Sequence, residues 1–426
     1  MCDPRALGRR RGAVGWGVRV VSLLMLASVS TLGLACPSPK SPIGTHRDPS
    51  VAAAATSASG APRRAVARGV SDPENTDAEA AHHVVFADRT RYAYVLLVRG
   101  ERPHAPTRMA LNRLVRSRLR SHIGAVEVRA LQTLIERDPK HAEDVGLLTG
   151  DEVERRRLLA IDGADLLGLH VETLRREKLV DAALLRDPVL TRALTTTERA
   201  SIETRVWALV FRADYRNQHA ARGLRLLQTL VTMVAEERDA LIFDVDTRET
   251  VGPRVFGERR FRTTVANVAD QISVVPFPDP RHSSKGVRLM TRGMRRFGAV
   301  DLELDGLPAQ TETLQRATHL LYGLAFVLVA EADLDHSGYA VEIDDPLTVR
   351  HADAVGAYGA SGGLLQRCAS CPGRVDLHLV ERAAEPHDPP GHVVARIVAP
   401  RAVSDHRPYD HPAWVARSLV SVFGPE

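Results

Sequence analysis

A chain of 426 residues with 44% hydrophobic content is long enough for two or three domains and apolar enough for a proper core. Its formal charge of +5 rests on arginine, because lysine occurs only at positions 40, 140, 178 and 285, and aromatic residues make up just 4%. This pattern fits GC-rich coding better than a phosphate-binding surface, and few rings are present for bases to stack on, so nucleic acid is excluded as a partner.

The first element is an apolar run from Val20 to Ala35, preceded by Arg5, Arg9, Arg10, Arg11 and Arg19 and ending at Cys36-Pro37-Ser38-Pro39. A basic head, a short apolar stretch and a small residue at the cut site form the pattern of a secretory signal over residues 1–35. The run is shorter than the about 20 residues that a membrane-spanning helix needs. Leu32-Gly33-Leu34-Ala35-Cys36 resembles the cleavage box of bacterial lipoprotein precursors, although that family usually has leucine at Gly33 and a small residue at Leu34. The resemblance covers this presequence alone. It implies that Cys36 becomes the lipid-bearing first residue of the mature chain, which places the protein in the cell envelope with the membrane as partner. Gly33-Leu34-Ala35 also satisfies the small-x-small rule of ordinary signal cleavage, so simple secretion stays open.

Residues 36–81 follow as a Pro-, Ala-, Ser- and Arg-rich segment without helical or strand period. Such a composition cannot bury enough surface to offset its ordering entropy, and the segment reads as a disordered tether.

The expected body is α+β, divided into units 82–275 and 276–426, with helices packed on antiparallel sheets. Val84–Arg89 and Tyr92–Val98 read as strands, the second a near-continuous β-rich run, and Pro106–Leu119 as a helix. Residues 130–200 read as mostly helical, with a capped start at Thr149-Gly-Asp-Glu152. A strand–helix–strand order then recurs. Val206–Phe211, Asn217–Glu237 and Ala240–Asp246 form one set, and Ala299–Leu304, Gln310–Ala330 and Tyr339–Ile343 a second. Residues 92–128 read as a weaker third copy. The order reads either as a duplication or as the chance pattern of any mixed chain. The proline-rich residues 276–287 form the internal boundary. Val375–Val380 and His392–Val398 read as a hairpin, with a closing helix at Ala413–Val422. The run Arg292–Arg296 reads as a solvated face able to meet anionic headgroups.

Three constellations carry candidate chemistry. Gly359-Ala-Ser-Gly-Gly363 matches the G-x-S-x-G elbow of serine hydrolases, with Ser361 as nucleophile and Asp376 or Asp388 and His392 or His406 downstream. A flexible Gly-Ser-Gly loop is the competing reading, because neither a buried preceding strand nor a glycine-rich oxyanion loop accompanies the serine. Asp333, Asp335, Ser337, Gly338 and Asp344 fall at positions of a calcium loop, though Val341 and Pro346 break the pattern, and the favoured reading is a tight turn leading from a helix into a strand. Cys368 and Cys371 stand three apart. In an oxidising compartment they read as a local disulfide, and as a zinc half-site they would need His378, His387 or His392. Nucleophile, base and orienting group do not converge anywhere in the sequence. The expectation is a non-catalytic envelope binding module of unidentified ligand, without a cofactor. A serine hydrolase using Ser361 and a calcium-stabilised adhesion module are the alternatives.

Overall fold

In a computed structural model, residues 82–87, 89–118, 166–260, 267–283, 285–332, 341–359, 365, 372–385, 388, 393–400 and 409–425 are described. The first strand, β1 (His82–Phe86), is followed after a short break by β2 (Arg89–Val98) and α1 (Arg108–Arg118). Then come β3 (Leu166–Arg175), α2 (Ala182–Arg186), α3 (Thr196–Ala200), β4 (Trp207–Arg216), α4 (Gln218–Glu237), β5 (Leu241–Asp244) and β6 (Thr250–Val251). Strands β3, β4, β2, β5 and β6, in that spatial order, make a five-stranded antiparallel sheet.

The continuous apolar run of β2 follows from its central place in that sheet, because a strand covered on both faces has no water-facing side. One face presents Tyr92, Tyr94 and Leu96 to a core shared with Leu224, Leu227, Leu230 and Val234 of α4. The other presents Val95 and Leu97 to Val180, Leu185, Leu194 and Ile202 from the 180–202 stretch.

The chain continues through α5 (Pro253–Arg260), α6 (Val268–Gln271), β7 (Ser273–Pro278), β8 (Gly286–Arg292) and β9 (Asp301–Pro308). Next are α7 (Thr311–Ala332), β10 (Val341–Asp345), β11 (Leu347–Arg350), α8 (His351–Ala357), β12 (Arg374–Arg382), β13 (Val394–Val398) and α9 (His411–Phe423). A six-stranded sheet runs β11–β12–β13–β9–β8–β7. All its pairs are antiparallel except β13 with β9, which is parallel. Its inner face buries Leu302, Leu304, Leu377, Leu379, Ala395 and Ile397 in the same core as α7, whose Leu320, Leu321, Leu324 and Leu328 are at most 1% exposed.

The fold is therefore α+β. All described residues belong to one compact unit. Residues 276–287, the expected boundary, span the β7–β8 hairpin. Both strand–helix–strand sets form, with different connections: β4 and β5 flank β2 in one sheet, whereas β10 leaves the sheet of β9 and pairs with β1.

Two expectations are corrected. Within the stretch read as helical, Leu166–Arg175 is the strand β3, paired along β4 to Arg175↔Trp207. Its leucine spacing suits either period, and the available edge of β4 decides the matter. The run Arg292–Arg296 is not a solvated face, because Arg292 is 8% and Arg296 0% exposed. A 3-10 turn at Met294–Phe297, bracketed by Gly293 and Gly298 at φ 110° and 76°, turns this segment inward. Arg296 donates to both Asp244 oxygens at 3.0 Å and to the Tyr92 hydroxyl at 2.7 Å. Burial by itself raises the Asp244 carboxyl, but Arg296 and Arg260 more than offset it and hold the group below its ordinary value.

Candidate functional site

Strand β9 reads Asp301-Leu-Glu-Leu-Asp305, and period-2 geometry puts the leucines on the core face and the three acids on the other. That other face is not left to water. Asp301, Glu303 and Asp305 are at most 1% exposed. Buried carboxylates need partners, and the neighbouring strands supply arginines. Glu303 accepts from Arg288 of β8 at 2.6 Å, from Arg382 of β12 at 2.7 and 3.0 Å, and from Arg281 at 3.2 Å. Arg396 of β13 lies 3.7 Å away. Arg382 also grips Asp388 with two bonds of 2.7 and 2.8 Å, and Arg288 pairs with Glu385 at 2.5 Å.

At the far end of β9 this network opens into a corner of different chemistry. The tight β7–β8 turn carries Asp279, Arg281 and His282, and a β-carbon at Gly286 would sit 2.4 Å from the Asp279 carbonyl oxygen, so glycine is required for the close approach. Asp279 accepts from the Arg281 Nε at 2.7 Å and from the Gly306 amide at 3.4 Å. Asp305 Oδ2 lies 3.4 Å from both Arg281 and His282 and 3.3 Å from Arg396. His411 arrives from the other side, in the first turn of α9. Asp410 fixes that turn by accepting from the Ala413 amide at 3.0 Å, and Pro412 is preset for a helix start.

His411 Nδ1 is 2.7 Å from the Tyr409 hydroxyl, and its ring stacks on His282 at 5.5 Å. Its Nε2 stands 2.6 Å from Asp305 Oδ1, a close imidazole–carboxylate contact. Burial, which alone would raise the Asp305 carboxyl, is outweighed by His411, Arg396 and Arg281, and the group is held down at about 2. Asp279 is likewise held below its ordinary value, Arg281 outweighing its burial. Asp279, His282 and Asp305 each offer a donor atom, and these lie within 4.8 Å of one another. Among the described residues, they form the group that could hold a metal ion.

Of the residues singled out from sequence, Cys36, Ser361, Cys368, Cys371, Asp333, Asp335 and Ser337 lie outside the described residues. So do His387, His392 and His406. The backbone of Asp344 belongs to β10, opposite His83. Asp376 accepts from the Thr348 hydroxyl at 2.7 Å, and Asp388 is taken by Arg382. His378 is buried on β12.

A second concavity, over β2, β3 and β4, is lined by Arg91, His170, Arg212 and Asp214. Arg91 there is bound to Asp214 and Arg212 to Glu172.

Sequence reasoning missed Asp279, His282, Glu303, Asp305 and His411. The usable signal was the alternation of acids in Asp301–Asp305 against that of Arg288 and Arg292, since arginines and acids on facing strands imply a paired face. No family model, curated protein or solved structure matches this chain. No helix among the described residues is long and apolar enough to cross a membrane.

Proposed function

We propose that this chain is a cell-envelope lipoprotein whose α+β body binds a ligand rather than turning one over. Lipid on Cys36 would hold it to the membrane, and residues 37–81 would serve as the tether. The presequence supports the anchor. The observation that carries the binding reading is the corner at the end of β9, where buried Asp279 and Asp305 converge with the exposed ring of His282. Buried carboxylates with a solvent-reachable imidazole can take up a ligand from outside, while the adjoining arginine–carboxylate network holds them in place.

Detergent phase separation tests the anchor. The wild-type protein is expected in the detergent phase and Cys36→Ser in the aqueous phase, and unchanged partitioning would refute lipidation. A fluorophosphonate probe is expected to leave the protein unlabelled. Labelling that disappears in Ser361→Ala would replace the binding module with a serine hydrolase.

A further inference from the structure

We infer that the ligand of this corner is a divalent first-row transition-metal ion, held by Asp279, His282, Asp305 and His411. This inference rests on the binding reading above and names the chemistry of its ligand.

The donor geometry is the first support. Three ligand atoms already lie within 4.8 Å of one another, and His411 Nε2 is 2.6 Å from one of the same carboxylates. An ion with bonds of about 2.0–2.2 Å spans donors up to about 4.4 Å apart, so small side-chain rotations bring all four onto one centre.

The second support is preorganisation. Asp305 is 1% and His411 7% exposed, and Asp305 Oδ1 and His411 Nε2 already face each other at 2.6 Å. Side chains buried this deeply are held in place, so half of the donor set is assembled before any ion arrives.

The donor set decides the class of metal. Two imidazoles with two carboxylates suit zinc, manganese or a neighbouring metal, whereas calcium and magnesium prefer all-oxygen shells. Tyr409, 2.7 Å from His411 Nδ1, is the outer partner that orients a ligating imidazole. Arg281 now bridges Asp279 and Asp305. Its side chain is 34% exposed and already reaches to within 3.8 Å of Glu385, so it has a place to go when the ion enters. Exposed His282 provides the entry side, which makes this an exchangeable site.

The test is a zinc titration of the detergent-solubilised full-length protein by calorimetry, with X-ray absorption at the zinc edge. One ion per chain is expected, with nitrogen and oxygen scatterers at about 2.0–2.1 Å and no sulfur. His282→Ala and His411→Ala should each weaken binding at least about tenfold, and Tyr409→Phe should weaken it by about ten- to a hundredfold. His282 is exposed, so its replacement leaves the fold intact by circular dichroism and keeps the test decisive if His411→Ala fails to fold. Absence of zinc, cobalt and manganese binding would overturn the inference. So would sulfur in the shell, or affinity unchanged in His282→Ala. None of these outcomes touches detergent partitioning, so the anchor stands or falls separately.

Discussion

Replacing Arg296 with methionine removes the charge that joins the 294–297 turn to the five-stranded sheet while keeping most of the side chain's stem. In the native protein the guanidinium is 0% exposed. It donates to Asp244 twice at 3.0 Å, to Tyr92 at 2.7 Å, to Tyr94 at 3.3 Å and to the Gly293 carbonyl at 3.0 Å. After Arg296→Met, Asp244 keeps, among the described residues, Arg260 as its cationic partner at 3.5 Å, together with the Tyr92 hydroxyl at 2.7 Å and the Asp246 and Thr247 amides at 3.2 Å. Removing one member of a buried ion pair strands the other, at a cost of about 3–5 kcal/mol.

Replacing both members with apolar residues is often close to neutral, so Arg296→Met/Asp244→Leu should recover most of that loss. The assay is urea unfolding followed by circular dichroism. The midpoint of the single variant should fall at unchanged slope, and that of the double variant should rise again. A single variant within about 1 kcal/mol of wild type would refute the reasoning, since stranding a buried charge costs several times that. A double variant no more stable than the single one would do the same, because the stranded carboxylate would then not be the source of the loss.

Two further outcomes follow from the same geometry. The Asp244 carboxyl is held below its ordinary value in the folded state. It therefore contributes stability above its unfolded pKa of about 3.9, and that contribution is lost as pH falls through the folded value. The gap between wild type and Arg296→Met should accordingly be widest near neutral pH and narrow below about pH 4; unfolding curves measured across that range check it, and a constant gap contradicts it. At Gly306 the backbone has φ +71°, and a β-carbon would meet His411 Cδ2 at 3.1 Å. Gly306→Ala is expected to cost about 1–3 kcal/mol by thermal unfolding, and no loss would mean that the backbone relaxes there.

Much of the fold was legible because burial writes a period into the chain. The run Tyr92–Val98 is apolar throughout because β2 is covered on both faces, and the long helices α4 and α7 each offer a leucine stripe to the shared core. Strand β3 was hidden by leucine spacing that fits either period, and only its pairing with β4 settles the choice. The inward turn of Arg296 depends on a partner, Asp244, that lies 52 residues earlier. The metal-competent corner was illegible for a related reason. Its donors stand at positions 279, 282, 305 and 411, on a hairpin turn, a central strand and a helix start, and no local spacing links them. Proximity comes from the spatial order β12–β13–β9–β8–β7, in which sequence neighbours such as β9 and β10 are parted and β9 lies beside β13.

The pairing of β1 with β10, from His82↔Asp345 to Phe86↔Val341, has a mechanical consequence. Any pull transmitted from the N-terminal side of His82 meets this five-residue clasp before it reaches β2 and the sheet beyond. The clasp can give way and lengthen the chain while the main core stays folded, so a protein leashed at its N-terminus would carry its own shock absorber.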